Sequence, residues 1–479
     1  MVDLLIKNGV ILQMDSQRTV IEDGAVAIEG QRIRDVGPTV AVTQQYDGST
    51  VLDASGKAVI PGLITTHAHV SDILLRGGPA DGRDGFDWLY NVKAPGVAVM
   101  DAGDNRVAAQ LYCTEAIQAG ITTFVESGAG AGSGFSEEVI RAKLDVYDTL
   151  GIRNIFGHSF IDQEPNKEMQ DLVKTEQAKA PCVRHVHPQD VIVETEDALD
   201  SIAKLMEQYH RTAEGRQRVW PAPTFPHGTS PEGLRGAHDL AEEYDTMTTT
   251  HVGQSPHECG PHQSPIEYLH SEDYLDERAL LAHCVFVSDR DIRLLATTDA
   301  AVAHNPLTNL KLGVGIASIP AMRTAGIPVA LGTDNTSASD TINLFHDLRT
   351  TGVIHKGYHQ DGSLLPAEEL LAMATIDAAR AMGMADEIGS IEPGKYADIT
   401  LIDLEYPHLV PRSNPASTIV YQTQGFEVDT VLCNGEVILQ DGQLPGLPVP
   451  IPELLEHARE TAVSVRDRAN ITPTDNRCH

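Results

Sequence analysis

Two histidines one residue apart, His67 and His69, stand near the end of an apolar run over residues 58–70, just after Pro61-Gly62. On an extended strand, positions i and i+2 share a face, so both imidazoles can converge on one ion. Alone, the pattern is weak: 20 His in 479 residues give about one such pair by chance. A second pair, His185-Val-His187, lies against Pro188 away from any strand end and reads as ordinary surface sequence. The first pair has company. His251, His283 and Asp334 stand at the ends of three further apolar runs, 246–252, 279–286 and 328–333. Imidazole and carboxylate donors suit one divalent metal, with Zn2+ expected and Fe2+ the alternative. Such an ion lowers the pKa of bound water toward ~7 and so supplies hydroxide at neutral pH.

These side chains need a frame that brings strand ends together. Eight short apolar runs follow one another at 58–70, 122–126, 154–160, 219–225, 246–252, 279–286, 300–305 and 328–333. Between them, stretches such as 104–119, 137–150, 196–212 and 231–244 carry apolar residues at i, i+3 and i+4, which predicts helices. This βα alternation predicts an α/β fold, a (β/α)8 TIM-like barrel, whose chemistry sits at the C-terminal strand ends. The two ends of the chain resemble each other. Residues 4–15 (LLIKNGVILQMD) and 431–441 (VLCNGEVILQD) each read as paired strands around Asn-Gly, a strong hairpin signal. The expected organisation is one small β domain from residues 1–60 plus 386–446, a barrel over 61–385, and a C-terminal helix and tail over 447–479.

Composition narrows the function. Hydrophobic residues at 41% and charged ones at 22% exclude disorder and collagen-like repetition. Asp and Glu number 68 against 35 Lys and Arg, a net charge of −33 that excludes nucleic acid as a partner. Acidic excess with 11 Lys against 24 Arg predicts a halophilic protein, kept soluble where salt screens self-repulsion. Cys113, Cys182, Cys259, Cys284, Cys433 and Cys478 are scattered without a CxxC pair. That argues against a disulfide framework or thiolate zinc site and for a reducing, cytoplasmic setting. It also excludes a nucleobase deaminase of the H-x-E/P-C-x-x-C kind. No basic leader and no run of ~20 apolar residues is found, so no membrane partner is expected. The Gly-rich 127–134 (SGAGAGSG) lacks the Lys-Ser/Thr of a phosphate loop and reads as a flexible connection.

Residues 61–69 (PGLITTHAH) and 389–404 (GSIEPGKYADITLIDL) resemble the two end signatures of the amidohydrolase superfamily. Residues 69–79 (HVSDILLRGGP), 87–92 (DWLYNV) and 332–335 (GTDN) further resemble its branch holding atrazine chlorohydrolase, melamine deaminase and S-adenosylhomocysteine deaminase. The resemblance implies a metal-bearing barrel beside a β-sandwich built from both termini. It implies that His67, His69, His251 and Asp334 are metal ligands, that His283 touches the attacking water or the substrate, and that Asp334 also takes the water's proton. It implies that a loop over 74–99 covers the substrate, with Trp88 stacking on a flat ring, and that the 304–313 segment, including Asn305, lies on the substrate side. Asn335 and Ser339 are expected near the leaving group. The fourth run, 219–225 (VWPAPTF), lacks a lysine that could bridge two ions after carbamylation, so one metal is expected.

One position departs from the pattern. Related deaminases carry a Glu three residues after the fifth-strand histidine, and here that residue is Gln254. An amide orients a substrate but neither gives nor takes a proton at neutral pH. His257 is the expected replacement, with Glu258 the alternative. The expected activity is metal-dependent hydrolytic release of ammonia or an amine from a nitrogen-rich heteroaromatic ring or amidine. The alternatives are dechlorination or dealkylamination of a triazine-like ring, or a catalytically impaired homologue that only binds ligand. A small heteroaromatic molecule is the expected partner, and a homo-oligomer the expected assembly.

Overall fold

The computed structural model describes residues 1–128, 136–187, 190–258 and 263–472. The Gly-rich segment read as a flexible connection falls mostly outside them. Eight strands line a barrel in chain order: Leu63–His69, Ile121–Ser127, Arg153–Phe160, Gln217–Pro223, Thr248–Val252, Ala279–His283, Ala301–His304 and Val329–Leu331, the last continuing into Asp334–Asn335. Nearly every residue in them is buried, as expected for parallel strands covered on both faces. The parallel ladder is interrupted between the fourth and fifth strands, where the His251 N–H donates to the Thr224 carbonyl at 3.2 Å. At Gly332 the eighth strand leaves the seventh and crosses to the first, pairing Asp334 with Ala68 and Asn335 with His69.

The surrounding helices begin and end on local signals. Asp101 and Asp104 form a capping box at the start of Ala102–Gln118. Ser230 caps Pro231–Glu243 with proline at its first position, and Gly151, at φ +72°, ends Glu137–Leu150. The C-terminal helix Ile451–Ala469 is tied to the barrel through Arg468, which meets Asp104 at 2.5 Å and the Val99 carbonyl at 2.7 Å.

The chain ends interleave in one eight-stranded sheet. Its order is Glu436–Gln440, Val428–Cys433, Ile399–Asp403, Lys57–Pro61, Val2–Leu12, Val20–Glu29 and Arg32–Pro38, with Gly48–Asp53 also beside Val2–Leu12. Asn434-Gly435 makes the expected hairpin, both residues having positive φ. Asn8-Gly9 does not, which corrects the hairpin expectation for residues 4–15. It forms an irregularity within the continuous strand Val2–Leu12. Before it the strand pairs with Gly48–Asp53, after it with Lys57–Pro61. Gly9 is needed there because a Cβ would lie 2.7 Å from the Val59 side chain. The sheet is joined to the barrel by the buried Arg153 guanidinium, held by Asp398 at 3.1 Å and Asn434 at 2.8 Å.

The cysteine expectation needs one correction: Cys182 is disulfide-bonded, while Cys113, Cys284 and Cys433 are free and buried. Among the described residues no helix is long and apolar enough to cross a membrane. The charge carries a stability consequence. With −33 formal charges, dilution from molar salt to ~10 mM lengthens screening from ~3 to ~30 Å. The melting temperature is expected to fall across that series in calorimetry; a flat or rising trend would contradict salt dependence of the fold.

Candidate metal centre and substrate cavity

Five side chains meet at the barrel's C-terminal mouth. His67 and His69 come from the first strand, His251 from the fifth, His283 from the sixth, and Asp334 from the eighth. Ligand atoms of His67, His69 and His251 lie within 4.8 Å of one another, as do those of His67, His283 and Asp334. The Asp334 carboxylate sits 3.5 Å from both His67 Nε2 and His69 Nε2. His283 and Asp334 both hold positive φ, +77° and +55°, a strained backbone of the kind found at functional sites.

The hydrogen bonds behind the rings decide what the cluster can hold. His69 Nδ1 meets the Ser127 carbonyl at 2.9 Å, and His251 Nδ1 meets the Thr224 carbonyl at 2.6 Å. A carbonyl only accepts, so each Nδ1 carries the proton and each Nε2 is a bare lone pair. Yet those two Nε2 atoms face each other at 3.2 Å. Neutral lone pairs repel at that distance unless a cation lies between them. Tetrahedral Zn–N bonds of ~2.0–2.1 Å place neighbouring ligand atoms about 3.3 Å apart. His67 adds buried ring nitrogens without a partner, and Asp334 an unpartnered Oδ2. Burial pushes the imidazoles of His69 and His251 well below their ordinary pKa, so they are neutral at pH 7. The donors present fit a divalent metal.

His283 is positioned rather than tied up. Its Nδ1 meets the Asn309 Oδ1 at 2.9 Å, leaving Nε2 without a partner. Burial lowers its pKa to about 4, so it is a neutral imidazole with Nε2 free to accept. Asn305, expected on the substrate side, stands beside His283. Its side chain lies 3.2 Å from His283 Nδ1 and is not among the residues lining the cavity. Gly332 is packed close by; a Cβ there would lie 2.3 Å from the Asn305 Oδ1 and 2.9 Å from the His67 Cβ. Gly332→Ala is expected to displace His67 and weaken metal affinity by about 10–100-fold in chelator competition, the range for perturbed supporting groups. Unchanged affinity would mean that the packing yields there at no cost to the ligands.

Above the centre lies a cavity of about 510 Å3, mostly apolar, that reaches His69, His251 and Asn335. Trp88 lines it and is anchored, its indole N–H donating to Ser337 Oγ at 3.2 Å. Asn335 lines it while its amide donates to Asp334 at 2.6 Å. Ser339 turns away, onto the backbone carbonyls of Asn335 and Thr341. Gln254 and His257 both line the cavity, and His257 Nδ1 pairs with Glu168 at 2.6 Å. Glu258, the alternative to His257, caps the turn instead: its carboxylate accepts the N–H groups of Gly253, Gln254 and Ser255. Val186 and His187 also line the cavity, which corrects the reading of His185-Val-His187 as ordinary surface.

Sequence reasoning did not single out Asn309, Asp72 or Lys93. Asp72 takes hydrogen bonds from Thr336 and Ser337 beneath Trp88, and burial raises its pKa to about 6. The HVSDILLRGGP motif contains Asp72, so its place beside His69 was the available signal.

The family model described as the amidohydrolase family matches residues 58–438. An S-triazine hydrolase from Gordonia rubripertincta is 34% identical over 478 residues, covering 99% of this chain and 98% of that protein. A 5'-deoxyadenosine deaminase from Methanothermobacter thermautotrophicus is 33% identical over 429 residues, 88% of this chain and 91% of that one. The solved structure of atrazine chlorohydrolase from Arthrobacter aurescens, complexed with zinc, superposes with a TM-score of 0.82. Its identity is 25%, with 96% of this chain and all of that one covered.

Proposed function

Because the chain belongs to the amidohydrolase family, we propose that it is a metal-dependent hydrolase that releases ammonia or an amine from a nitrogen-rich heteroaromatic ring. The observation that carries the reading is the pair of bare Nε2 atoms of His69 and His251 facing each other at 3.2 Å, with Asp334 alongside. His67, His69, His251 and Asp334 would hold the ion, one per chain and zinc by preference. When bound, it would supply hydroxide from water near neutral pH. Asp334 keeps one carboxylate oxygen without a protein partner, available to the proton of that water. His283, neutral and fixed by Asn309, directs Nε2 toward the same space and orients the water or the ring. Trp88 offers its indole face to a flat ring, and Asn335 stands where the leaving group departs.

A second reading has its own observation. Gln254 brings an amide to the cavity where a proton donor would help an amine depart. A halide leaves without being protonated, so Gln254 favours dechlorination over deamination on a triazine-like ring. The 34% identity to an S-triazine hydrolase supports including such rings. The test is zinc-reconstituted protein in molar salt, assayed against matched amino- and chloro-triazines, purines and pyrimidines for ammonia and chloride release. Ammonia release supports the main reading, and chloride release alone the second. Tight ring binding with neither product would make the protein a binding homologue. Three buried free thiols suit a cytoplasmic setting although Cys182 is disulfide-bonded, and the acidic excess suits a salt-rich one. Exposed Phe426 and Val410 are the side chains we would place at a homo-oligomer contact.

A further inference from the structure

The substrate cavity contains a cation that the protein does not neutralise at contact distance. Lys93 ends the helical turn Leu89–Lys93 in the loop over the mouth and lines the cavity beside Trp88, its ammonium 5.6 Å from the ring centroid. Among the described residues, Nζ has no ion pair or hydrogen bond, whereas Lys143 and Lys311 are paired, with Glu126 and Asp340 respectively. Lys93 is nevertheless central. Its charge acts on the imidazoles of His69, His251 and His283, and burial lowers its own pKa from the ordinary lysine value against the pull of Asp72 and Asp334. Neither carboxylate is free to meet it: Asp72 is turned onto Thr336 and Ser337, and Asp334 onto His67 and His69.

A half-buried ammonium without a counter-ion is costly unless something brings one. We propose that Lys93 is the anion-recognising residue of the cavity and that the substrates are flat nitrogen-rich rings carrying a negative charge, on an ionised oxo group or a ring nitrogen. Lys93 fits the task because an ammonium on a four-carbon stem is a compact point charge that reaches a ring substituent without fixed geometry. Trp88 beside it gives the ring its face. The apolar remainder of the wall rewards the uncharged part of the ring. This assignment rests on the hydrolase reading of the site for its ring chemistry, but its test requires no turnover.

The experiment measures binding of two triazine rings that have no group to lose, the cyanurate monoanion and its neutral N-trimethyl derivative, to zinc-loaded protein by calorimetry at mildly alkaline pH. Lys93→Met is expected to weaken cyanurate by at least about tenfold, as loss of a close charge partner does, while changing the neutral ring by no more than about twofold. Lys93→Arg is expected to restore most of the cyanurate affinity. Thermal melts of each variant report whether the loop still packs. Equal weakening of both rings, or none, overturns the assignment, as does Lys93→Arg behaving like Lys93→Met. Lys93-dependent cyanurate binding in a protein that hydrolyses no ring would overturn the hydrolase reading and leave the anion site standing.

Discussion

Replacing Asp334 by alanine is expected to strip the protein of its metal and its turnover together while leaving the barrel folded. Elemental analysis should fall from about one ion per chain to a small fraction, and rates on any confirmed substrate by more than about 10³-fold. Loss of a direct ligand exceeds the 10–100-fold cost of losing its supporting group, and the proton acceptor goes with it. His67→Ala should behave alike, since neither ring nitrogen of His67 has a hydrogen-bond partner among the described residues. The fold should survive because Asp334 gives little to packing. Its only side-chain donor is the neighbouring Asn335, and one oxygen is unpartnered. Burial raises its pKa, but the surrounding imidazoles of His67, His283 and His69 outweigh that and hold the carboxyl ionised. Because those surroundings more than offset desolvation, the metal-free variant is expected to melt somewhat below the metal-free parent while still unfolding cooperatively. Full metal occupancy with parent rates in either variant would remove both residues from the centre.

The strand-end residues were legible because two periods coincide. A parallel strand repeats every two residues, so His67 and His69 share a face, and the βα repeat returns each later strand end to the same mouth. What fixes those ligands was not legible. The carbonyls of Ser127 and Thr224 set the tautomers of His69 and His251, yet a backbone carbonyl has no signature in sequence. Asn309 holds His283 across 26 residues, and only the folded turn after Asn305 brings it there. The Asn-Gly signal failed at Asn8 for a related reason. The same positive φ that serves a two-residue turn serves an irregularity inside a strand, and Asn8 finds outside partners in Thr39 and Asp53. Asn434 has outside partners too, in Arg153 and Asp398, so such partners do not by themselves separate a hairpin turn from an irregularity within a strand. Lys93 and Asp72 read as loop charges until the loop closes over the mouth.

The remaining question is how a leaving amine obtains its proton beside Gln254, and two substitutions give opposite answers. His257 lines the same cavity as Gln254, and its Nδ1 is anchored by Glu168 from the helix Lys167–Lys179. A carboxylate behind one ring nitrogen fixes the ring and leaves the other nitrogen for proton exchange. Glu258 is committed to three backbone N–H groups, and although burial raises its pKa to about 7, protonating it would break the turn that presents Gln254. His257→Ala is therefore expected to lower the rate on amino-bearing rings by about 10²-fold, within the 10²–10⁴ range of a general acid–base group. It should leave the rate on chloro-bearing rings nearly unchanged, because chloride departs without a proton. Gln254→Glu should then do little. If instead Gln254→Glu raises amine release by a comparable factor and His257→Ala is silent, the missing carboxylate is the limit and His257 is a rim residue. Metal content measured in both variants separates proton delivery from a ligation defect. Parent rates in both would leave the reaction to Asp334 and His283, which both hold positive φ at the histidine cluster.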